Sequence, residues 1–331
     1  MRLVSYIWIL LCIVVVGLAG FSCSNDLEIQ LPGNKNIPVV YSVLELQRDT
    51  LCVRVTKTFN GTGSALAYAA IGDSLYFPST RVWLEKWNGD FRVNRAELTK
   101  IDINSRLPGL FSEKPNWNFI LVRSPESETI FTGTVDNQEY HLSVEIPGKP
   151  LIFAKTKAFP ASRLTLPRLS ATQNLYLDPL EFSWISDAPY TELSFRFYYT
   201  DIYEDNMIDR CITWREFHTS KPTDPFQDFI YGADFMKRIA GLIKADRLVL
   251  YRHVTGLQAV VVGIPADLFD YRLMIQVQPP DQAGYTLTNI FNGIGLFTSQ
   301  TINAFDLDPD LKSKDSIMSG QFTKHLNFRY Y

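Results

Sequence analysis

Apolar and polar residues alternate along most of this chain in short runs. A period of two puts successive side chains on opposite faces of a strand. Such runs fall at 37–46, 50–59, 80–87, 91–97, 119–123, 140–146 and 151–157. Turn signals separate them, Gln47-Arg48-Asp49 after the first and Asn88-Gly89 after the third; Asn-Gly suits the backbone of a tight hairpin. A short helix is expected over 65–70. This series predicts two packed sheets, an immunoglobulin-like sandwich over 37–158. Pro160, Pro167 and Pro179 then break the periodicity, which places a junction at 159–179.

Beyond the junction, 180–331 reads as a second β-rich domain, with strands at 180–185, 192–203, 210–217, 257–264, 296–304 and 322–330. Thr223-Asp224-Pro225 offers a cap and a first-turn proline. Phe226, Phe229, Ile230, Ala233, Met236, Ile239, Ala240 and Ile243 then follow at helical spacing, predicting a helix near 225–244. Pro265 opens a second helix over 266–277. The expected fold class is mainly β: an immunoglobulin-like sandwich followed by a β-rich domain with one or two helices.

The front of the chain has a different pattern. Arg2 precedes an apolar run over 3–21, and Gly20-Phe21-Ser22-Cys23 leads into polar Ser24-Asn25-Asp26. A basic start, an apolar stretch and a small residue before cysteine form an export signal, similar to a bacterial lipobox. In that reading residues 1–22 are a signal peptide, Cys23 carries the acyl chains, and 23–36 is a lipidated tether. The run is also about long enough to cross a bilayer, since roughly 20 residues suffice, so a retained span and plain secretion are the alternatives. Two or more acyl chains make a stable anchor, at about 0.8 kcal/mol per buried methylene. Ser24-Asn25-Asp26-Leu27-Glu28 resembles short acidic signals that send lipoproteins to the cell surface; a solvated tether is the other reading.

Composition narrows the function classes. Apolar residues make up 46% of the 331, which excludes disorder on compositional grounds, and with a net charge of −3 neither sign dominates, so nothing suggests a nucleic-acid binder. The four cysteines and four histidines share no metal-ligand spacing, so no metal and no cofactor is expected. Cys52 and Cys211 lie in alternating segments and read as buried strand positions. Gly293-Ile294-Gly295 lacks the third glycine of a dinucleotide loop and reads as a structural turn, with glycines where the backbone needs special geometry or close approach. Asp306, Asp308 and Asp310 alternate as a calcium loop begins, but Leu311 stands where such a loop requires glycine.

No Gly-x-Ser-x-Gly elbow occurs, so there are no catalytic residues to name. Of Trp83, Trp87, Trp117, Trp184 and Trp214, the ring of Trp117, in Pro115-Asn116-Trp117-Asn118, is the candidate for ligand binding. Trp184 and Trp214 read as core.

Several of these segments together resemble a family of Bacteroidota outer-membrane lipoproteins known only as a domain of unknown function. They are the lipobox, the strand pair Val39-Val40-Tyr41-Ser42-Val43 with Val53-Arg54-Val55-Thr56, Ala69-Ala70-Ile71-Gly72-Asp73-Ser74, Tyr140-His141-Leu142, and Trp184. The most distinctive is Thr288-Asn289-Ile290-Phe291-Asn292-Gly293-Ile294-Gly295-Leu296-Phe297-Thr298-Ser299. The resemblance implies a two-domain β-rich protein in an envelope complex, often encoded beside a TonB-dependent transporter. The expected function is that of a non-enzymatic accessory protein held at the outer membrane by acylated Cys23, its partner such a transporter or another outer-membrane protein. A capture module for peptide or glycan is the first alternative, and a surface hydrolase with an unrecognised carboxylate site the second.

Overall fold

A computed structural model describes residues 36–59, 64–103, 108–132, 138–175, 180–219, 225–277 and 287–330. Cys23, the signal and the tether up to residue 35 lie outside them. The chain is mainly β, as its patterning predicted. Eight strands come from the first half: β1 (Pro38–Leu44), β2 (Thr50–Lys57), β3 (Arg81–Asn88), β4 (Phe91–Glu97), β5 (Thr99–Asp102), β6 (Trp117–Val122), β7 (Gln138–Glu145) and β8 (Ile152–Lys157). The second half adds β9 (Arg163–Leu166), β10 (Leu180–Ile185), β11 (Tyr190–Ile202), β12 (Met207–Thr219), β13 (Phe226–Ile230), β14 (Tyr251–Ile264), β15 (Ile294–Ser299), β16 (Thr301–Asp306) and β17 (Phe328–Arg329).

In the first half, sheet β4-β3-β7-β8 faces a sheet of order β15-β1-β2-β6-β5. Alternation sends Val82 and Leu84, Tyr140, Leu142 and Val144, and Ile152 and Ala154 into one core with Val40, Val53, Val55, Phe119 and Leu121. Gly89, at φ +56°, closes the β3–β4 hairpin at the predicted turn. Tyr140 is fully buried, its hydroxyl donating to the Ile130 carbonyl at 2.9 Å. Burial holds that phenol protonated far above the ordinary range.

The second half has its own core. Antiparallel sheet β12-β11-β14-β16 and the smaller sheet β13-β10-β9 enclose an aromatic cluster. In it Trp184 stacks on Phe226 at 5.7 Å and Phe195 on Trp214 at 5.4 Å. Trp184 and Trp214 are therefore core residues, as expected.

One strand joins the halves. β15 runs parallel to β1 in the first-half sheet, while β16, one residue later, pairs with β14 in the second. The segment expected as a single strand over 296–304 thus splits at Gln300, because its two parts belong to different sheets. Gly295 sits opposite Val40 at φ +119°, and a Cβ there would lie 2.0 Å from the Val40 carbonyl oxygen. Gly293 has Pro38 oxygen 3.0 Å from the same position. Both glycines serve the close approach of backbone to backbone, and Phe297, fully buried, adds its ring to the first core.

A polar clasp secures the joint. Asn289 exchanges hydrogen bonds with the Phe297 backbone, accepting at 2.9 Å and donating at 2.6 Å, and donates to Asp267 at 3.1 Å. The buried Thr298 hydroxyl donates to the other Asp267 oxygen at 2.9 Å. Burial raises the Asp267 carboxyl above its ordinary pKa of 3.8, against the pull of the Thr298 bond. A second chain of contacts runs from Glu192 to Arg272 (3.0 Å), Gln300 (2.9 Å) and Glu45 (2.6 Å). Between them lie Leu296 and Tyr41 against Val260, Val262, Ile264 and Leu268.

Three further expectations are corrected. The helix predicted near 225–244 is confined to Gly232–Leu242, and 226–230 is β13; pairing of Phe226 with Trp184 in register outweighs the helical spacing. Cys52 and Cys211 are free and exposed rather than buried, because Leu51 and Val53 take the inward positions beside Cys52, and Ile212 and Trp214 those beside Cys211. The last predicted strand shrinks to Phe328–Arg329, after a short turn ending in left-handed Asn327 at φ 54°. The helix Ala266–Val277 has the bounds expected.

Candidate functional site

The outward face of sheet β4-β3-β7-β8 gathers aromatic and charged side chains. On β3, the outward positions are Arg81, Trp83, Glu85 and Trp87. Trp83 lies between two guanidinium groups, Arg81 at 4.6 Å and Arg95 at 4.9 Å from its ring centre. Trp83 is buried beneath them, and contacts of this kind contribute from about 0.5 kcal/mol when exposed to about 2 kcal/mol when desolvated. Arg81 forms a two-point bond to Glu97 at 2.8 and 2.9 Å. That pairing raises the arginine pKa and lowers the carboxyl pKa. Glu85, nearly buried, collects Arg92 at 3.3 Å, Arg95 at 3.2 Å and the Trp87 indole N–H at 3.0 Å.

An aromatic row continues across the neighbouring strands. Trp87 stacks on His141 of β7 at 5.0 Å, His141 meets Phe153 of β8 edge-on at 5.4 Å, and Phe153 lies 6.5 Å from Phe291. Phe291 is held there by reciprocal backbone bonds with Phe153, at 2.7 and 3.2 Å, and is 66% exposed. His141 Nε2 lies 3.3 Å from Glu139. At one end of this sheet Arg81, Glu145, Pro147, Lys149 and Leu151 line a shallow groove of about 490 Å3. Asn292, next to Phe291, donates to the Leu151 carbonyl at 2.7 Å, so the groove and the aromatic row adjoin. Rings, paired charges and an open groove supply contact area and orientation.

Trp117 is elsewhere. It is the first residue of β6, in the opposite sheet, and is half-buried with the Lys100 ammonium 4.8 Å from its ring. Asn116 and Asn118 beside it are buried; Asn116 accepts from Arg54 at 2.5 Å and its backbone N–H donates to Asp102 at 2.7 Å. The structure does not bring Trp117 together with Trp83 or Trp87. Gly293 and Gly295 lie at the joint described above, two residues past Phe291 and beyond.

Trp83 and Trp87 stand among the tryptophans of the sequence, but Trp117 is the expected ligand-binding ring, and His141, Phe153 and Phe291 carry no such expectation. The alternation within β7 and β8 already put His141 and Phe153 opposite the core positions Leu142 and Ile152. What carried no signal was the register that sets these rings side by side.

Among the described residues no group of three or more His, Cys, Asp or Glu is placed to hold a metal. Asp310 of the acidic segment caps the helix Leu311–Ser319, accepting from the Ser313 N–H, and Asp308 pairs with Lys314 at 3.0 Å. Asp201 is buried between Arg252 at 2.8 Å and Arg210 at 3.1 Å. No described helix is long and apolar enough to cross a membrane.

Comparison with known proteins gives no family. No family model matches the chain, and no curated protein matches it. Among solved structures, it aligns with the C-terminal globular domain of an oligosaccharyltransferase from Pyrococcus abyssi at 10% identity, with a TM-score of 0.17. That alignment covers 83% of this chain and 44% of the other. A likeness at this level carries no argument about fold or activity.

Proposed function

We propose that this protein is a lipid-anchored accessory protein of the outer membrane, without catalytic activity, that binds an envelope partner such as a TonB-dependent transporter. The observation that carries this reading is Cys23, placed at the end of the apolar run over 3–21 and followed by a polar tether. Acyl chains on that thiol confine a folded β-rich body to a surface and raise its effective concentration near an embedded partner. The stitched joint between the halves supports the reading, since a body with fixed geometry presents one surface to a partner. Radiolabelled palmitate with the natural chain and with Cys23→Ser tests the anchor: label and membrane fractionation are expected in the first and lost in the second. An unlabelled, freely soluble natural chain refutes the proposal. Extraction in mild detergent and identification of what co-purifies tests the partner.

The row Trp87, His141, Phe153 and Phe291 favours a second reading, in which the same anchored protein captures a peptide or glycan. Retardation in gels cast with soluble polysaccharides, lost in Phe291→Ala, is the result this reading expects.

A further inference from the structure

We propose that the outer edge of β12 is a self-association surface, at which a second copy of this chain adds its own β12 antiparallel to the first. β12 is 13 residues long and pairs with β11 along its whole length, from Met207 opposite Ile202 to Thr219 opposite Tyr190. Among the described residues no strand pairs with its other edge. An unpaired strand of this length presents a row of backbone donors and acceptors ready for a further strand. Edge strands commonly carry charge that keeps other chains away, and β12 carries Asp209, Arg210, Arg215 and Glu216. The order of these charges decides what the edge repels and what it accepts.

Two copies related by a two-fold axis pair so that the residue numbers of opposite positions have a constant sum. With Ile212 on the axis, Asp209 lies opposite Arg215 of the second copy, twice by symmetry. Slipping by one would set the outward positions of one copy against the inward positions of the other, so the pleat itself rejects this register. Asp209 and Arg215 belong to the outward face of the sheet, as their alternation with buried Trp214 requires, and both are exposed. Each already has a partner and capacity to spare. Asp209 accepts from the Thr200 hydroxyl at 2.7 Å through one oxygen, and Arg215 meets Glu192 through Nε at 3.4 Å, leaving a carboxylate oxygen and the outer guanidinium N–H groups. The same register sets Met207, 74% exposed, opposite Phe217, and Cys211 opposite Thr213. Opposite charges directly across a sheet attract and like charges repel, so the pattern selects another copy of itself.

The test uses the full chain in mild detergent, with Cys52→Ser to remove the other exposed thiol. Thr213→Cys is expected to give a disulfide-linked dimer with Cys211 of the second copy on mild oxidation, because only directly opposite positions bring Cβ atoms within reach. Arg215→Asp is expected to weaken the dimer about tenfold in sedimentation equilibrium, and adding Asp209→Arg to restore it, as two symmetric exposed ion pairs predict. A cooperative melting transition in each variant shows that it is folded. A natural chain that stays monomeric at about 100 times the concentration at which weak dimers form, or a dimer that leaves Thr213→Cys unlinked, overturns the proposal.

Discussion

The two halves of this molecule close their cores in different ways. The second half takes its core from long neighbouring strands: β11 and β14, joined by antiparallel pairing over 190–202 and 251–264, with Trp184, Phe195 and Trp214 packed against them. The first half lacks one piece of its own. Its larger sheet ends at β1, and the strand that covers that edge is β15, brought from the other end of the chain. The contact between Gln300 and Glu45 at this joint spans 255 residues. A core made from neighbours stands by itself, whereas a core completed from afar depends on the rest of the protein.

The largest test of that contrast is separation. Residues 24–160 alone, without β15, are expected to show no cooperative thermal transition, and residues 159–331 to keep one, each followed by near-ultraviolet circular dichroism. Cooperative melting of the first piece breaks the comparison. Next in size, Gly295→Val puts a branched side chain where a single Cβ already collides with Val40, and requires it to hold a positive φ. A loss of about 4 kcal/mol is expected from strain and displaced pairing, measured by urea unfolding. Phe297→Ala is expected to cost about 3–5 kcal/mol, although this residue belongs by sequence to the other half; limited proteolysis should then cut first within 36–158.

The clasp sharpens the comparison through pH. The Asp267 pKa is higher in the folded protein than its ordinary 3.8. Stability from this group is therefore fully present below that ordinary value and is lost as pH rises through the elevated one. Asp267→Asn cannot ionise, so natural chain and variant are expected to draw apart as pH rises from 3 to 7, with the natural chain losing ground. Parallel urea midpoints over that range contradict the assignment. Smallest of all, Arg81→Ala removes an exposed pair with Glu97 and one guanidinium contact on Trp83, and a loss of no more than about 1 kcal/mol is expected in urea unfolding.

Much of this architecture was legible from alternation alone. The strands 91–97 and 180–185 and the helix 266–277 have the bounds the pattern predicts, since each is set by local signals: a turn, a proline, a period. The failures are of another kind. Phe226, Phe229 and Ile230 satisfy a helical stripe, yet pairing with Trp184, Glu181 and Leu180 of β10 claims all three for a strand. Cys52 and Cys211 sit in strands as expected, but on the exposed face, because alternation gives two faces and only tertiary packing names the inner one. The aromatic row escaped for a related reason. Trp87, His141, Phe153 and Phe291 come from four segments, and only the pairing of Glu85 with His141 and of Ser143 with Phe153 sets them in line. Trp117, chosen as a loop residue, begins a strand and already holds Lys100 against its ring.

A strand that arrives last has a consequence for biosynthesis. When residues 38–44 leave the ribosome, the segment that must lie beside them has not been translated, and about 250 further residues must follow. Domains made first ordinarily fold first, but here the leading one cannot be finished ahead of the trailing one. The parallel pairing of β1 with β15 therefore forms only after nearly the whole chain has been made, and the front stays pliable until its tail has caught up.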